Sequence, residues 1–245
     1  MNDCHVHSNF SFDSDVPIKS YVESAIQYEY DAIFFTEHCE FIENNKFFEN
    51  YIKEIEQLKY SHTLFIGAAL EVDLPYIERI DKSILKKLDF SLGSFHQLAQ
   101  SPLEYYINLL DKLSDKDILS SIDALAHIDF PLRNDDIART FMKLYNSDFE
   151  IILYRILKKL VDSNKVLEIN ISNLEGNETR ASMIFYCNII QKYREIGGKY
   201  FCYGSDSHSL ADFRLSYINR KKYLDSLKLN ESDFVIFKKH KIIKN

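Results

Sequence analysis

The stretch DCHVHS at residues 3–8 decides how this chain is read. In an extended strand alternate side chains share a face, so His5 and His7 project to one side while Cys4 and Val6 project to the other. Two imidazoles then converge on one point. Near the far end YGSDSHS (203–209) repeats the spacing with Asp206 and His208, a carboxylate and an imidazole leaving one strand end together. Between these motifs FFTEHCE carries His38, GAALEVD carries Glu71, GSFHQL carries His96 and ALAHIDF carries His127, each after an apolar run. A lone histidine in an apolar segment is an ordinary structural residue. So many at strand ends describe a multinuclear metal site.

Apolar runs at 2–6, 32–35, 64–69, 89–93, 122–126, 166–170 and 200–204 read as seven buried strands. Helical patterns separate them. Asp15 and Pro17 mark a helix start ahead of YVESAIQYEY, and FFENYIKEIEQL has the spacing of a core-packed helix. In SPLEYYINLLDKL, Ser101 is the cap, Pro102 takes the first helical position and Glu104 the reciprocal capping-box position. Residues 148–163 and 178–196 continue the theme, and the tail after Ala211 reads as mostly helical and charged. Strand–helix alternation predicts an α/β fold with a parallel sheet, and closure into a barrel brings the C-terminal ends of all strands to one rim. The candidate ligands stand at those ends. The sixth strand, KVLEINIS, ends with Glu168 and Asn170, which can line the same cavity without binding metal.

With 245 residues, 46% of them hydrophobic, the chain can bury the core of one domain spanning 1–245. A net charge of -7, and 16 Tyr and 18 Phe without a basic run before the tail, argue against a nucleic-acid surface and for a small-molecule partner. No apolar stretch approaches the roughly 20 residues needed to span a bilayer and no signal peptide is evident, so the expected location is the cytoplasm, with no membrane partner. Cys4, Cys39, Cys187 and Cys202 lack metal-ribbon or disulfide-framework spacing and read as reduced thiols. Glu37, one position from His38, points away from the ligand face and reads as a supporting residue. His62 and His240 read as surface histidines.

The motifs DCHVHSNFSFDSD, FFTEH, a strand-end Glu, two separated His and a late GSDSH resemble the polymerase and histidinol phosphatase (PHP) superfamily of metal-dependent phosphoesterases, over residues 3–208. The chain length, the HSNFSFDSD opening and the LEIN segment are most similar to its histidinol-phosphate phosphatase branch. That resemblance implies a distorted seven-stranded (β/α)7 barrel with a trinuclear centre at the C-terminal ends of its strands. His5, His7, Glu71 and Asp206 would hold one ion, Glu71, His96 and His127 a second, and Asp13, His38 and His208 the third. Asp15 lies two residues from Asp13, and the loop can offer either. Mixed imidazole and carboxylate donors suit zinc, manganese or iron without selecting among them.

The implied reaction is hydrolysis of L-histidinol phosphate to L-histidinol and phosphate in histidine biosynthesis, by attack of a metal-bridging hydroxide with Glu71, Asp206 and His208 as the catalytic set. A phosphate monoester dianion repels hydroxide, so divalent ions are needed to neutralise charge and polarise the phosphoryl oxygens. Arg180, Arg214 and Arg133 are candidate phosphate contacts, because a planar guanidinium matches phosphate oxygens. A cationic substrate amine calls for a carboxylate, for which Glu168, Glu40 and Glu43 are candidates. Two other functions fit less fully: the same chemistry on another small phosphate ester or nucleotide, and a non-catalytic scaffold of the same fold, which would be expected to have lost ligands.

Overall fold

Strands form where the apolar runs lie: β1 (Asn2–Val6), β2 (Ala32–His38), β3 (Phe65–Asp73), β4 (Phe90–Ser94), β5 (Ala124–Leu125), β6 (Val166–Asn170) and β7 (Phe201–Gly204) pair in chain order, all parallel. The computed structural model describes residues 1–39, 45–59, 63–97, 99–133, 147–172 and 179–244. Its two outer strands meet at the rim. Val6 bridges Ser207, the His7 N–H donates to the Ser207 carbonyl at 3.0 Å, and the Asp206 N–H donates to the His5 carbonyl at 2.8 Å. The sheet is thus a nearly closed barrel of seven parallel strands with helices outside.

Helices α1 (Ile18–Gln27), α2 (Asn45–Lys59), α3 (Lys82–Leu85), α4 (Pro102–Ser114), α5 (Lys116–Ser120), α6 (Ser147–Asp162), α7 (Thr179–Glu195) and α8 (Leu210–Leu227) follow the strands. The start of α4 is set by its cap: Ser101 Oγ accepts from the Glu104 N–H at 3.2 Å, while the Glu104 carboxylate accepts from Gln100, one residue ahead of the expected partner, at 2.9 Å. The expected strand over 122–126 shrinks to two residues. Just past its C-terminal end, the Glu168 carboxylate accepts the His127 N–H at 2.6 Å.

A bulge in β1 sets the site. Asp3 pairs with Ile33 but Val6 pairs with Phe35, so three steps on β1 match two on β2. Strict alternation puts Cys4 on the outer face with Val6; the bulge corrects that. Cys4 packs inside the barrel with Phe34, Phe90, Leu92, Ala124 and Cys202, while His5 and His7 also face inward above it. The lower barrel is therefore apolar and the upper barrel polar.

The tail departs from expectation after α8. Residues Val235–Lys238 (β8) and Lys241–Lys244 (β9) form an antiparallel hairpin, and Val235 and Phe237 close the apolar bottom of the barrel. His240, exposed as expected, is also its latch. The ring bridges the Asp123 carboxylate at 2.6 Å and the Leu85 carbonyl at 2.8 Å, and the His240 N–H donates to the Asp89 carbonyl at 2.7 Å. Contacts with Asp123 raise the pKa of His240, against the opposing effect of burial. With the folded pKa above the unfolded value of about 6.5, the latch contributes fully below that value and its contribution is lost as pH rises through the folded pKa. His240→Ala is expected to lower stability by about 1 kcal/mol near pH 6, given a ring about one-third exposed. Urea melts of both proteins from pH 6 to 9 should converge as pH rises; a constant gap would contradict the latch.

Candidate metal centre

Glu71 stands two residues from the end of β3, and strand alternation turns it into the barrel, where it is 1% exposed. Its Oε1 lies 2.6 Å from His127 Nε2 and 3.1 Å from His96 Nε2. Its Oε2 lies 3.2 Å from His38 Nδ1, 3.4 Å from His5 Nε2 and 3.5 Å from His7 Nε2. One carboxylate therefore faces two groups of imidazoles, one with each oxygen. Burial alone would raise its pKa, but His96, His38 and His5 together hold it well below the usual carboxylate range.

Hydrogen bonds set which ring nitrogen is available. The Ser11 hydroxyl donates to Glu37 at 2.6 Å, so it accepts from His7 Nδ1–H at 3.1 Å. His5 Nδ1–H donates to Glu168 at 2.6 Å, and His208 Nδ1–H donates to the Asp206 carbonyl at 2.9 Å. In this arrangement Nε2 is the lone-pair nitrogen of all three rings. The two Nε2 atoms of His5 and His7 lie only 3.0 Å apart, with Asp206 Oδ1 at 3.5 and 3.4 Å. Lone pairs and an anionic oxygen facing one another need a cation between them. Burial pushes the pKa of His7 down to about 3, which keeps its lone pair open at neutral pH.

Asp206 follows β7 with a left-handed backbone (φ 55°), a conformation aspartate tolerates better than most residues. Its Oδ2 accepts from Arg133 at 2.5 Å, Ser172 at 3.3 Å and Asn170 at 3.4 Å, leaving Oδ1 turned to the histidines. Burial opposes ionisation, but Arg133 and His5 hold the carboxyl well below its ordinary pKa. At the mouth Asp13 Oδ2 lies 3.2 Å from His208 Nε2 and 3.3 Å from His38 Nε2. The potential ligand atoms fall into three groups, His5–His7–Asp206, Glu71–His96–His127 and His7–Asp13–His38–His208, with a span of at most 4.8 Å in each. These donors fit divalent ions.

All nine sequence-derived ligand candidates therefore meet, and Asp15, exposed on the same loop, joins none of the groups. The other candidates divide. Arg133 lines the cavity, about 1230 Å³ in volume, whereas Arg214 is exposed on α8 and is not part of its wall. Arg180 opens α7, but its side chain lies outside the described residues, as do Glu40, Glu43 and His62. Glu168 is fully buried, and its carboxylate accepts from the His5 ring and the His127 N–H.

Glu37 is the supporting residue expected. Fully buried, it accepts from the Ser8 N–H and from both the Ser8 and Ser11 hydroxyls at 2.6 Å, fixing the loop that presents Asp13; burial pushes its pKa up to about 6. The serines of HSNFS were the available signal. Sequence reading also passed over Arg79 and Tyr76 in the cavity wall, where the guanidinium stacks 4.6 Å from the ring. Cys39 is a buried free thiol that donates to the Glu71 carbonyl at 3.2 Å.

The PHP domain model matches residues 3–172. The chain belongs to the PHP domain family. Among curated relatives, the histidinol-phosphatase of Lactococcus lactis is 26% identical over 229 residues, covering 84% of this chain and 83% of that one. A Clostridium acetobutylicum protein named "Probable histidinol-phosphatase" is 27% identical over 249 residues, covering 93% and 94%. The fold matches the crystal structure of the Lactococcus lactis histidinol phosphate phosphatase complexed with zinc, L-histidinol and phosphate, with a TM-score of 0.78 at 24% identity and coverage of 99% and 98%. Among the described residues of this PHP chain, no helix is long and apolar enough to cross a membrane.

Asp13→Ala is expected to cost one metal equivalent per chain while Asp15→Ala costs none, read by elemental analysis after gel filtration. The reverse pattern would exchange their roles.

Proposed function

We propose that this PHP protein is a metal-dependent phosphomonoesterase whose substrate is L-histidinol phosphate, released as L-histidinol and phosphate, and that three divalent ions, zinc, manganese or iron, occupy the three ligand groups. The observation that carries this reading is Glu71, whose two oxygens each face a separate set of imidazoles in the wall of a cavity large enough to admit a small ester. The histidinol-phosphatases among its relatives, which it matches over most of their length, supply the substrate.

When bound, divalent ions neutralise the phosphate dianion, polarise its oxygens and lower the pKa of a water between them. The chain's own residues do the rest. Glu71, Asp206 and His208 would hold the ions that meet the phosphoryl group, and the hydrogen bonds from Arg133 to Asp206 and from His208 to the Asp206 carbonyl keep the latter two fixed, which removes the need to reorganise during reaction. Arg133 stands beside Asp206 at the cavity wall, where its planar fork receives phosphate oxygens. Phe130 and Tyr76 make the wall partly apolar, which limits water beside the ester.

Phosphate release from L-histidinol phosphate should exceed that from nucleotides and sugar phosphates in the zinc- or manganese-loaded protein. Faster turnover of another ester would replace the substrate, and no turnover with full metal occupancy would favour a scaffold. Glu71→Gln is expected to lower kcat at least about 10²-fold, and Arg133→Ala to lower kcat/KM by about 10²-fold, with unchanged circular dichroism. Normal turnover of Glu71→Gln would exclude a role for this carboxylate in the reaction.

A further inference from the structure

Glu168, on β6 and 0% exposed, enters none of the three ligand groups. Its two oxygens point to different places. Oε1 accepts from His5 Nδ1–H at 2.6 Å, and Oε2 accepts from the backbone N–H of His127, also at 2.6 Å. His5 belongs to the group with His7 and Asp206; His127 belongs to the group with Glu71 and His96. We propose that Glu168 is a positioning residue that sets two of the three metal positions together, and that Gly204 is the socket that lets it do so. The inference rests on the metal-centre reading given above.

Three features support a dedicated role. Asn170 Nδ2 donates to Glu168 Oε2 at 3.3 Å and also to Asp206 Oδ2 at 3.4 Å, so the same network reaches a third ligand. Next, only a carboxylate of this length offers two acceptors side by side; a glutamine would turn an N–H₂ toward either the His5 Nδ1–H or the His127 N–H, leaving a buried donor facing a donor. Finally, the neighbouring strand makes room. A Cβ on Gly204 would lie 1.9 Å from Glu168 Oε1, 2.8 Å from its Cδ and 2.9 Å from His5 Cβ, distances no packed structure tolerates. Gly204 pairs with Asn170 across β6 and β7, so relief through strand separation would break the ladder. Any side chain at 204 must displace Glu168, and His5 with it.

The third group, His7, Asp13, His38 and His208 at the mouth, serves as the internal reference. Carboxylates that orient metal-bound imidazoles typically contribute about 10–100-fold to metal affinity. In the full chain, stripped of metal and titrated with zinc against a competing chromophoric chelator, the wild type should bind three equivalents. Glu168→Gln and Gly204→Ala should each weaken two of them by about 10–100-fold and keep the third unchanged, with Glu168→Gln guarding against a packing failure in Gly204→Ala. Three equivalents at wild-type affinity in Glu168→Gln would overturn the proposal. So would an equal loss at all three positions with an unchanged thermal melt, because that outcome assigns Glu168 no particular pair. A wild type that binds no zinc would overturn the metal-centre reading itself, a result distinct from either.

Discussion

A buried carboxylate within 3.5 Å of five histidines is the constraint on which the rest of this structure depends. Glu71 cannot be placed in the barrel without them, because an isolated buried carboxylate costs several kcal/mol, and the histidines cannot all be protonated around it, since they would repel one another. Neutral imidazoles with their lone pairs turned inward solve that problem only when cations complete the arrangement. The barrel supplies the geometry: seven parallel strands end on one rim, so residues separated by two hundred positions in the chain arrive within hydrogen-bond distance.

The lower half of the barrel makes the upper half possible. Phe34, Phe90 and the Phe237 ring of the hairpin fill its bottom, with Phe90 and Phe237 stacked at 4.7 Å. A dry, packed base lets the buried polar layer above it be held by hydrogen bonds of fixed direction, and the bulge in β1 places the transition between the two layers at Cys4 and His5. Glu37 and Glu168 then act from opposite sides, one anchoring the loop after β1 and the other the ring of His5. Fold and site are in this sense one network.

Much of this was legible in the sequence because the ligands obey strand alternation: His38, Glu71, His96 and Asp206 each sit on the inward parity of an apolar run. The bulge was not legible, since alternation alone puts Cys4 on the outer face. The hairpin was hidden for a different reason. Its turn holds Lys239 and His240 at φ 50° and 61°, where asparagine or glycine would have signalled the turn, and the contacts that stabilise it come from Asp89, Asp123 and Leu85, more than a hundred positions away. The contacts of Glu168 were not legible, because its burial depends on Gly204 and its bonds on His5 and His127, none of them local in sequence. Asp13 and Asp15 could be separated only once the serine–Glu37 contacts had fixed the loop.

The most direct measurement of the central claim is turnover of L-histidinol phosphate by metal-free protein as zinc is added back in known equivalents per chain. The account predicts no turnover without metal, a rise as the ligand groups fill, and a plateau near three equivalents. Full turnover in the metal-free protein would contradict it, because the converging lone pairs of His5, His7 and Asp206 would then have to serve some purpose other than holding the ions on which hydrolysis depends.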